Sequence, residues 1–415
     1  MFEEIESQIN LFNGFIKHSI DIQVAIDNKN NIVYFESLEA LLNRLKIKNE
    51  TIGNFFNNFG LIYKNLGFYQ KVERLYTEAL KIREYIFGEE HSQIATSNNN
   101  LGLLYHSMGE YQRAETFYFK ALKIREKILG KEFPDTASSY NNLAGLYHST
   151  GEYEKAEFLY LKALKIIKQI VGDNHPNTAS FYNNLAGLYH SMKEYKKVES
   201  LYLKALKIRE KIFGYIHPDT AQSYNNIAEF YRSIKNYEKA EPLYFKALGI
   251  HLNMLGEKHL DTATVYNNLA ILYDSMEEYG KAEALYIKAL NIRKKSLREY
   301  HPDTASSYNN LAGLYDLIRE YQKVEPLYIK ALKIREKILG EEHLDTTASY
   351  NNLAVFFFGQ GDYERAYPYA KKAFDIRSKI MSENHPSLID SKKGLEAIEK
   401  VLIFNADSKN KYPIP

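Results

Sequence analysis

"YNNLAGLYHS" occupies residues 140–149, and the same ten residues return unchanged at 182–191. Two adjacent asparagines inside an apolar, helix-like stretch are a poor choice for the helix itself, because Asn is a mediocre helix former. The pair nevertheless recurs at Asn57-Asn58, Asn99-Asn100, Asn141-Asn142, Asn183-Asn184, Asn225-Asn226, Asn267-Asn268, Asn309-Asn310 and Asn351-Asn352, always 42 residues apart. Tyr69, Tyr111, Tyr153, Tyr195, Tyr237, Tyr279, Tyr321 and Tyr363 keep the same register, and so does the alanine column Ala79, Ala121, Ala163, Ala205, Ala247, Ala289, Ala331 and Ala373. Self-similarity at a fixed period of this length is the signature of a repeat array.

Within a unit the apolar residues follow a helical period. Tyr140, Leu143, Ala144 and Tyr147 stand at i, i+3, i+4, i+7 and predict a helix A. "STGEY" (149–153) breaks it, with Gly151 supplying a permissive backbone, and Ala156, Tyr160, Ala163 and Leu164 predict a helix B. Gly172 stands just past helix B, where a C-terminal cap favours glycine. In the connector "DNHP", proline suits the first turn of the next helix and pushes the preceding His out of helical geometry. Asp135, Asp219 and Asp303 follow that proline, in the turn where a carboxylate favours the helix dipole, and Asn177 takes the same place. One hairpin cannot bury its own stripe, but stacked neighbours can.

Gly151, Tyr153, Ala156, Tyr160 and Ala163 spell G-x-Y-x-x-A-x-x-x-Y-x-x-A, which resembles the second half of the tetratricopeptide repeat. The 42-residue length, the "NNLA-LY" opening, the "ALKIREKILG" close and the "HPDTA" connector look like the kinesin light chain class of these repeats. That resemblance implies an all-α, right-handed solenoid whose A helices line a concave groove. Kinesin light chains also carry a heptad-patterned coiled coil before the repeats, and residues 1–52 show no heptads, so the resemblance is to the repeat class rather than to a motor subunit.

The expected organisation is an N-terminal helical cap or degenerate repeat over 1–52, in which "FESLEALLNRLKI" (35–47) reads as a helix B. Eight repeats follow over 53–388 (53–94, 95–136, 137–178, 179–220, 221–262, 263–304, 305–346 and 347–388), then a capping helix over 389–405 and a flexible tail over 406–415.

A wheel at about 100° per residue places Asn142 roughly 150° from the packed stripe and Asn141 at its flank. The second asparagines (Asn58, Asn100, Asn142, Asn184, Asn226, Asn268, Asn310, Asn352) are therefore the candidates for ligand contact. The first asparagines serve either the ligand or the joint between repeats. A primary amide both donates and accepts, so a ladder of amides can grip an extended peptide backbone, and the resemblance gives groove asparagines that part. Three residues on, Gly145, Gly187 and Gly313 leave room for ligand side chains. Three further on stand Lys64, His106, His148, His190, Arg232, Asp274, Asp316 and Phe358, so the groove is expected to run from basic or His-lined to acidic.

Other constellations carry less. The aligned His106, His148 and His190 do not make a metal site, since helices pack about 8–10 Å apart while zinc needs nitrogens about 2.0–2.1 Å away. His91, His175, His217, His259, His301, His343 and His385 repeat too often for catalysis and read as loop or cap residues. Lys162, Lys165, Lys204, Lys207 and Lys211 form a convex ridge, and with the glutamates at 73, 115, 157, 199, 241, 283 and 325 they read as a solvated face. Chaperone-tail receptors of the tetratricopeptide kind clamp a carboxylate with helix-A Lys and Arg, where this chain has Asn. No phosphate-binding, nucleophile-elbow or zinc-protease motif occurs.

The 415 residues carry a formal charge of +2, which argues against a dedicated nucleic-acid or membrane-surface binder. No apolar run reaches the about 18 residues of a membrane span, and no signal peptide opens the chain. Zero Cys removes disulfides and thiolate chemistry and fits a reducing, cytoplasmic setting. The expectation is a non-enzymatic adaptor without cofactor or metal, holding an extended protein or peptide segment. A scaffold acting through its convex surface or by homo-oligomerisation is the alternative.

Overall fold

The computed structural model describes residues 9–10, 36–42, 48–297 and 299–411, and each regular element described is an α-helix. Residues 36–42 are helical, bury Leu38 and Leu42, and bring Glu36 to accept a 2.5 Å bond from the Tyr63 hydroxyl; 43–47, the rest of the expected cap helix, lie outside the described residues. Eight helical hairpins follow. Helix A runs Glu50–Asn65 in repeat 1, Ser92–Ser107 in repeat 2, Pro134–Thr150 in repeat 3, Pro176–Ser191 in repeat 4, Pro218–Ser233 in repeat 5, Leu260–Ser275 in repeat 6, Pro302–Leu317 in repeat 7 and Leu344–Gly359 in repeat 8. Helix B runs Tyr69–Phe87, Tyr111–Ile128, Tyr153–Val171, Tyr195–Phe213, Tyr237–Met254, Tyr279–Leu297, Tyr321–Leu339 and Tyr363–Ile380. A last helix spans Pro386–Lys411, so the first six residues of the expected flexible tail continue the cap instead. It seals the final repeat by burying Leu395 and Ile398.

Caps set these boundaries. The connector histidines are N-caps: Nδ1 of His175 accepts from the Asn177 amide at 3.1 Å, and His217, His259, His301, His343 and His385 repeat the bond two residues on. An imidazole thus does the work usually given to Ser or Asp. The threonine of "HPDTA" is fully buried and donates back across the connector, as Thr136 does to the Gly130 carbonyl at 2.9 Å. At the A–B turns the chain passes through left-handed backbone, and the amide after that residue reaches five residues back, as Glu110 N does to Tyr105 O at 2.9 Å.

Packing alternates small and large residues. Ala144, Ala156 and Ala163 are fully buried, which lets helix backbones approach while Tyr140, Leu143 and Tyr160 fill the gaps between them. Most repeats are also riveted to the next by a polar bond inside the core. Buried Arg125, Arg209, Arg293 and Arg335 of helix B donate to the Ser139, Ser223, Ser307 and Ser349 hydroxyls of the following helix A at 2.8–2.9 Å. Burial lowers the pKa of these guanidiniums, and carbonyls such as Asp219 O, at 3.0 Å, share their charge. Where the column changes, both partners change. Repeat 3 has Ile167 facing Phe181, and repeat 5 has His251 facing Val265.

Successive A helices draw close, with those of repeats 2 and 3, 3 and 4, and 5 and 6 coming within 8 Å Cα to Cα. The array therefore curves toward helix A, which puts the asparagine columns on the concave side. The curvature is tight enough to bring distant repeats together, since His343 bonds the carbonyl of Ser107, 236 residues earlier.

Removing one member of an Arg–Ser rivet leaves an unpaired buried polar group, at a cost of about 1–3 kcal/mol. Arg209→Ile alone is expected to lower the melting temperature and raise amide exchange across repeats 4 and 5. Arg209→Ile with Ser223→Phe, copying Ile167 and Phe181, is expected to restore most of the loss.

Candidate functional site

On the concave wall the two asparagine columns meet in a single bond. Nδ2 of Asn142 donates to Oδ1 of Asn99 in the repeat before it at 2.7 Å. Asn100 does the same to Asn57 (2.8 Å), Asn184 to Asn141 (3.0 Å), Asn268 to Asn225 (3.0 Å), Asn310 to Asn267 (2.9 Å) and Asn352 to Asn309 (2.8 Å). Sequence reasoning assigned the columns separate jobs; the helix-to-helix spacing makes them partners, because residue i of one A helix lies beside residue i+43 of the next. The chain breaks once. Gln222 Nε2 donates to Asn226 Oδ1 at 2.7 Å, and the buried Asn183 Oδ1 is left without a partner among the described residues.

These bonds use one N–H of each second asparagine. For Asn142, Asn184, Asn268, Asn310 and Asn352, no described side chain or backbone takes the remaining N–H or the Oδ1. Asn184 is exposed and the others are half-buried. Each thus holds a donor and an acceptor oriented by its neighbour and open to the groove. Beside them, an added Cβ at Gly187 would meet nothing within 4 Å. At Gly145 it would meet the Tyr160 hydroxyl at 3.4 Å, and at Gly313 the Tyr328 hydroxyl at 3.6 Å. These tyrosines belong to a buried helix-B column whose hydroxyls reach Gly145 and Gly313. Burial raises the pKa of Tyr160 and Tyr328 to about 12, so each remains a protonated donor. The sequence reading placed Tyr160 on the packed stripe and missed this second face, since periodicity locates a ring but not its hydroxyl.

A second cross-repeat row runs parallel to the first. Nε2 of His106, His148 and His190 lies 2.9, 2.8 and 2.7 Å from the hydroxyls of Ser149, Ser191 and Ser233. The His106 pKa falls to about 4, chiefly through burial and then through Lys64, His343 and His148; burial also lowers His148 and His190. The expected basic stretch is therefore uncharged at neutral pH along the histidines. Arg232 is charged but answered by Glu229, with Nε to Oε2 at 2.9 Å, and Tyr244 donates to the same carboxylate at 2.8 Å. Toward repeats 6 and 7 the column turns acidic, with Arg232 only partly offsetting the effect of burial on Asp274. Asp274 has a buried Oδ1 with no partner among the described residues, and burial raises both its pKa and that of Asp316. From Lys64 at its start the wall passes through neutral histidines to an acidic stretch.

Outside the groove, the helix-B glutamates are bonded rather than merely solvated. Tyr147, Tyr189 and Tyr231 hydroxyls donate to Glu115, Glu157 and Glu199 of the preceding repeat at 2.6 Å. Lys162 and Lys204 lie 3.9 and 5.7 Å from the ring centres of Tyr140 and Tyr182, a cation–π use of the convex stripe. Among the described residues no group of three or more His, Asp or Glu side chains could hold a metal ion, and no helix is long and apolar enough to cross a membrane.

Stacked hairpins with a periodic polar wall define a repeat protein of the protein-binding kind. The chain belongs to the tetratricopeptide repeat family, whose profile matches residues 51–127, 135–211, 219–295, 275–337 and 303–379. No curated protein matches it. Among solved structures it is similar to BtubC (BKLC) from P. vanneervenii, at 27% identity over 53% of this chain and 88% of that one, with a TM-score of 0.44. A Podosopora anserina kinesin light chain protein with nearly identical TPR-like repeats matches at 22% identity over 50% of this chain and 99% of that one, with a TM-score of 0.43. A Rap protein solved with Competence and Sporulation Factor shares the fold over 82% of this chain and 96% of that one, at 16% identity and a TM-score of 0.52.

Two outcomes follow from the wall. Asn142→Ala removes one interrepeat bond and is expected to cost about 1 kcal/mol, read as faster amide exchange in repeats 2 and 3 rather than as global unfolding. His106 is expected to titrate near pH 4 by NMR. The unfolded chain binds that proton near 6.5, so the histidine's contribution to stability is complete above 6.5 and declines as pH falls toward 4. His106→Gln should flatten that part of the stability profile.

Proposed function

We propose that this protein is a non-enzymatic adaptor that holds an extended segment of a partner protein along the concave wall. The observation that carries this reading is the unused amide capacity of Asn142, Asn184, Asn268, Asn310 and Asn352, repeated at a fixed period beside glycine openings. An extended backbone presents a donor and an acceptor at every residue, so a row of fixed amides holds it without reading its sequence. Gly145, Gly187 and Gly313 admit side chains, and tyrosine hydroxyls stand behind Gly145 and Gly313. Asp274 and Asp316 favour a Lys or Arg in the segment lying against repeats 6 and 7, because a cation there meets two carboxylates of which only Asp274 has a nearby cation, Arg232. Neighbours already hold the wall amides in place, so the ordering cost falls on the ligand. The absence of Cys fits a cytoplasmic setting.

A second reading has its own observation. Phe119, Leu161, Leu203, Phe245 and Ile287, one per repeat, form an exposed apolar row on the outer face of the B helices. It is the surface a convex-face scaffold would use.

Panning a random peptide display library against the purified protein separates the two. Peptides rich in Lys or Arg are expected to be enriched. Gly187→Leu with Gly313→Leu fills the wall openings and is expected to weaken their binding at least tenfold while helical circular dichroism and melting hold. If the enriched peptides bind that variant undiminished and are lost instead with Leu161→Glu and Leu203→Glu, the concave reading fails.

A further inference from the structure

The connection between Ser107 and His343 is one of three stations along a seam. At the first, the A–B turn of repeat 1 lies against the connector before repeat 7: a Cβ added at Gly67 would stand 3.0 Å from His301 Cδ2 and 3.2 Å from Pro302 Cδ. At the second, the turn of repeat 2 meets the connector before repeat 8. A Cβ at Gly109 would stand 3.1 Å from His343 Cδ2 and 3.3 Å from its Cα. His343 Nε2 donates to the Ser107 carbonyl at 3.0 Å while its Nδ1 caps the next helix. At the third, the turn of repeat 3 meets the connector before the last helix. The Ser382 amide donates to Thr150 O at 3.1 Å, and a Cβ at Gly151 would stand 2.5 Å from His385 Cδ2.

The turn residues show that this contact is written into the chain. All the A–B turns need a residue with positive φ. In repeats 4, 5, 6 and 7 that residue is Lys193, Lys235, Glu277 or Arg319, at φ between 60 and 63°. The conformation alone therefore does not demand glycine in this protein. Gly67, Gly109 and Gly151 occupy the turns that a connector histidine covers, where an added Cβ would crowd the histidine ring, most severely at Gly151. Gly361 of repeat 8 has the same conformation and meets nothing within 4 Å. His301 and His343 are correspondingly among the most buried of the N-cap histidines, at 7% and 8% exposure.

Because the array curves toward helix A, closing this seam places the asparagine wall inside the turn. We propose that the seam is an intramolecular latch that closes one turn of the solenoid on the next and controls how a partner segment reaches the concave wall. The proposal rests on the concave wall being the binding surface. With the latch shut, a linear segment threads in by an end, and a closed loop of peptide is excluded. With the latch open, both reach the wall.

The test copies the chain's own alternative. Gly67→Lys, Gly109→Lys and Gly151→Lys together install the residue used at position 193, which keeps the turn and removes the room for the histidines; Gly361→Lys is the control. The chain has no Cys, so Gln112→Cys and Glu342→Cys give a unique spin-label pair across the second station. A single short distance is expected in the parent protein and in the control, and a shift of about 10 Å or more in the triple variant with unchanged helical circular dichroism. Linear and head-to-tail cyclised forms of the strongest peptide from panning are then compared. The cyclic form is expected to bind the triple variant at least tenfold more tightly than the parent. An unshifted label distance overturns the latch, and so does equal binding of the cyclic peptide to closed and open proteins. If Gly187→Leu leaves linear-peptide binding intact, the wall reading fails while the label distances still report on the seam.

Discussion

A helical hairpin of this sequence has an apolar stripe on each helix and no means of covering both, so every repeat takes its stability from the repeat beside it. The joint is chemically specific as well as apolar. Between most consecutive units run an amide–amide bond on the inner wall, an arginine–serine rivet in the core and a tyrosine–glutamate bond outside. Each spans a constant number of residues, so inserting a single residue would misalign all three together. That constraint accounts for a period of 42 held without insertion or deletion.

In the proposed function the inner row also sets what the protein offers a ligand. A flexible exposed amide loses rotamer freedom on binding, whereas one already held by its neighbour loses little. The bond between Asn99 and Asn142 serves cohesion, and in the proposed function it also pre-orients an amide for the ligand. Charge follows a similar economy. Histidines on the wall are kept neutral by burial, Arg232 is answered by Glu229, and Asp274 and Asp316 remain as the carboxylates of this column. The wall is thus mostly uncharged amide and imidazole, with carboxylates at Asp274 and Asp316.

Curvature adds a second level of organisation. Small residues between A helices and bonds drawn across the inner face shorten that side, and the accumulated bend returns the chain to itself between five and six repeats on. The histidines that cap helices in every other respect alike acquire a further neighbour where the turns meet, and the facing turns carry glycine there and Lys, Glu or Arg in repeats 4 to 7. A local cap and a long-range contact are made by opposite nitrogens of the same ring, as at His343.

The helical hairpins, the helix-starting prolines and the glycine caps were legible in the sequence, because each is set by local periodicity and local capping chemistry. The paired changes at Ile167 with Phe181 and His251 with Val265 gained meaning only once the Arg–Ser bonds set columns 14 residues apart side by side. What the sequence could not decide was which columns face one another across repeats. That depends on the offset between neighbouring helices, and it turned Asn57 and Asn100, His106 and Ser149, and Tyr105 and Glu73 from separate candidates into bonded pairs. Nor could it decide that Gly109 would meet His343. The small rotation from one repeat to the next is invisible within any one unit and becomes a contact only after it has been summed around a full turn.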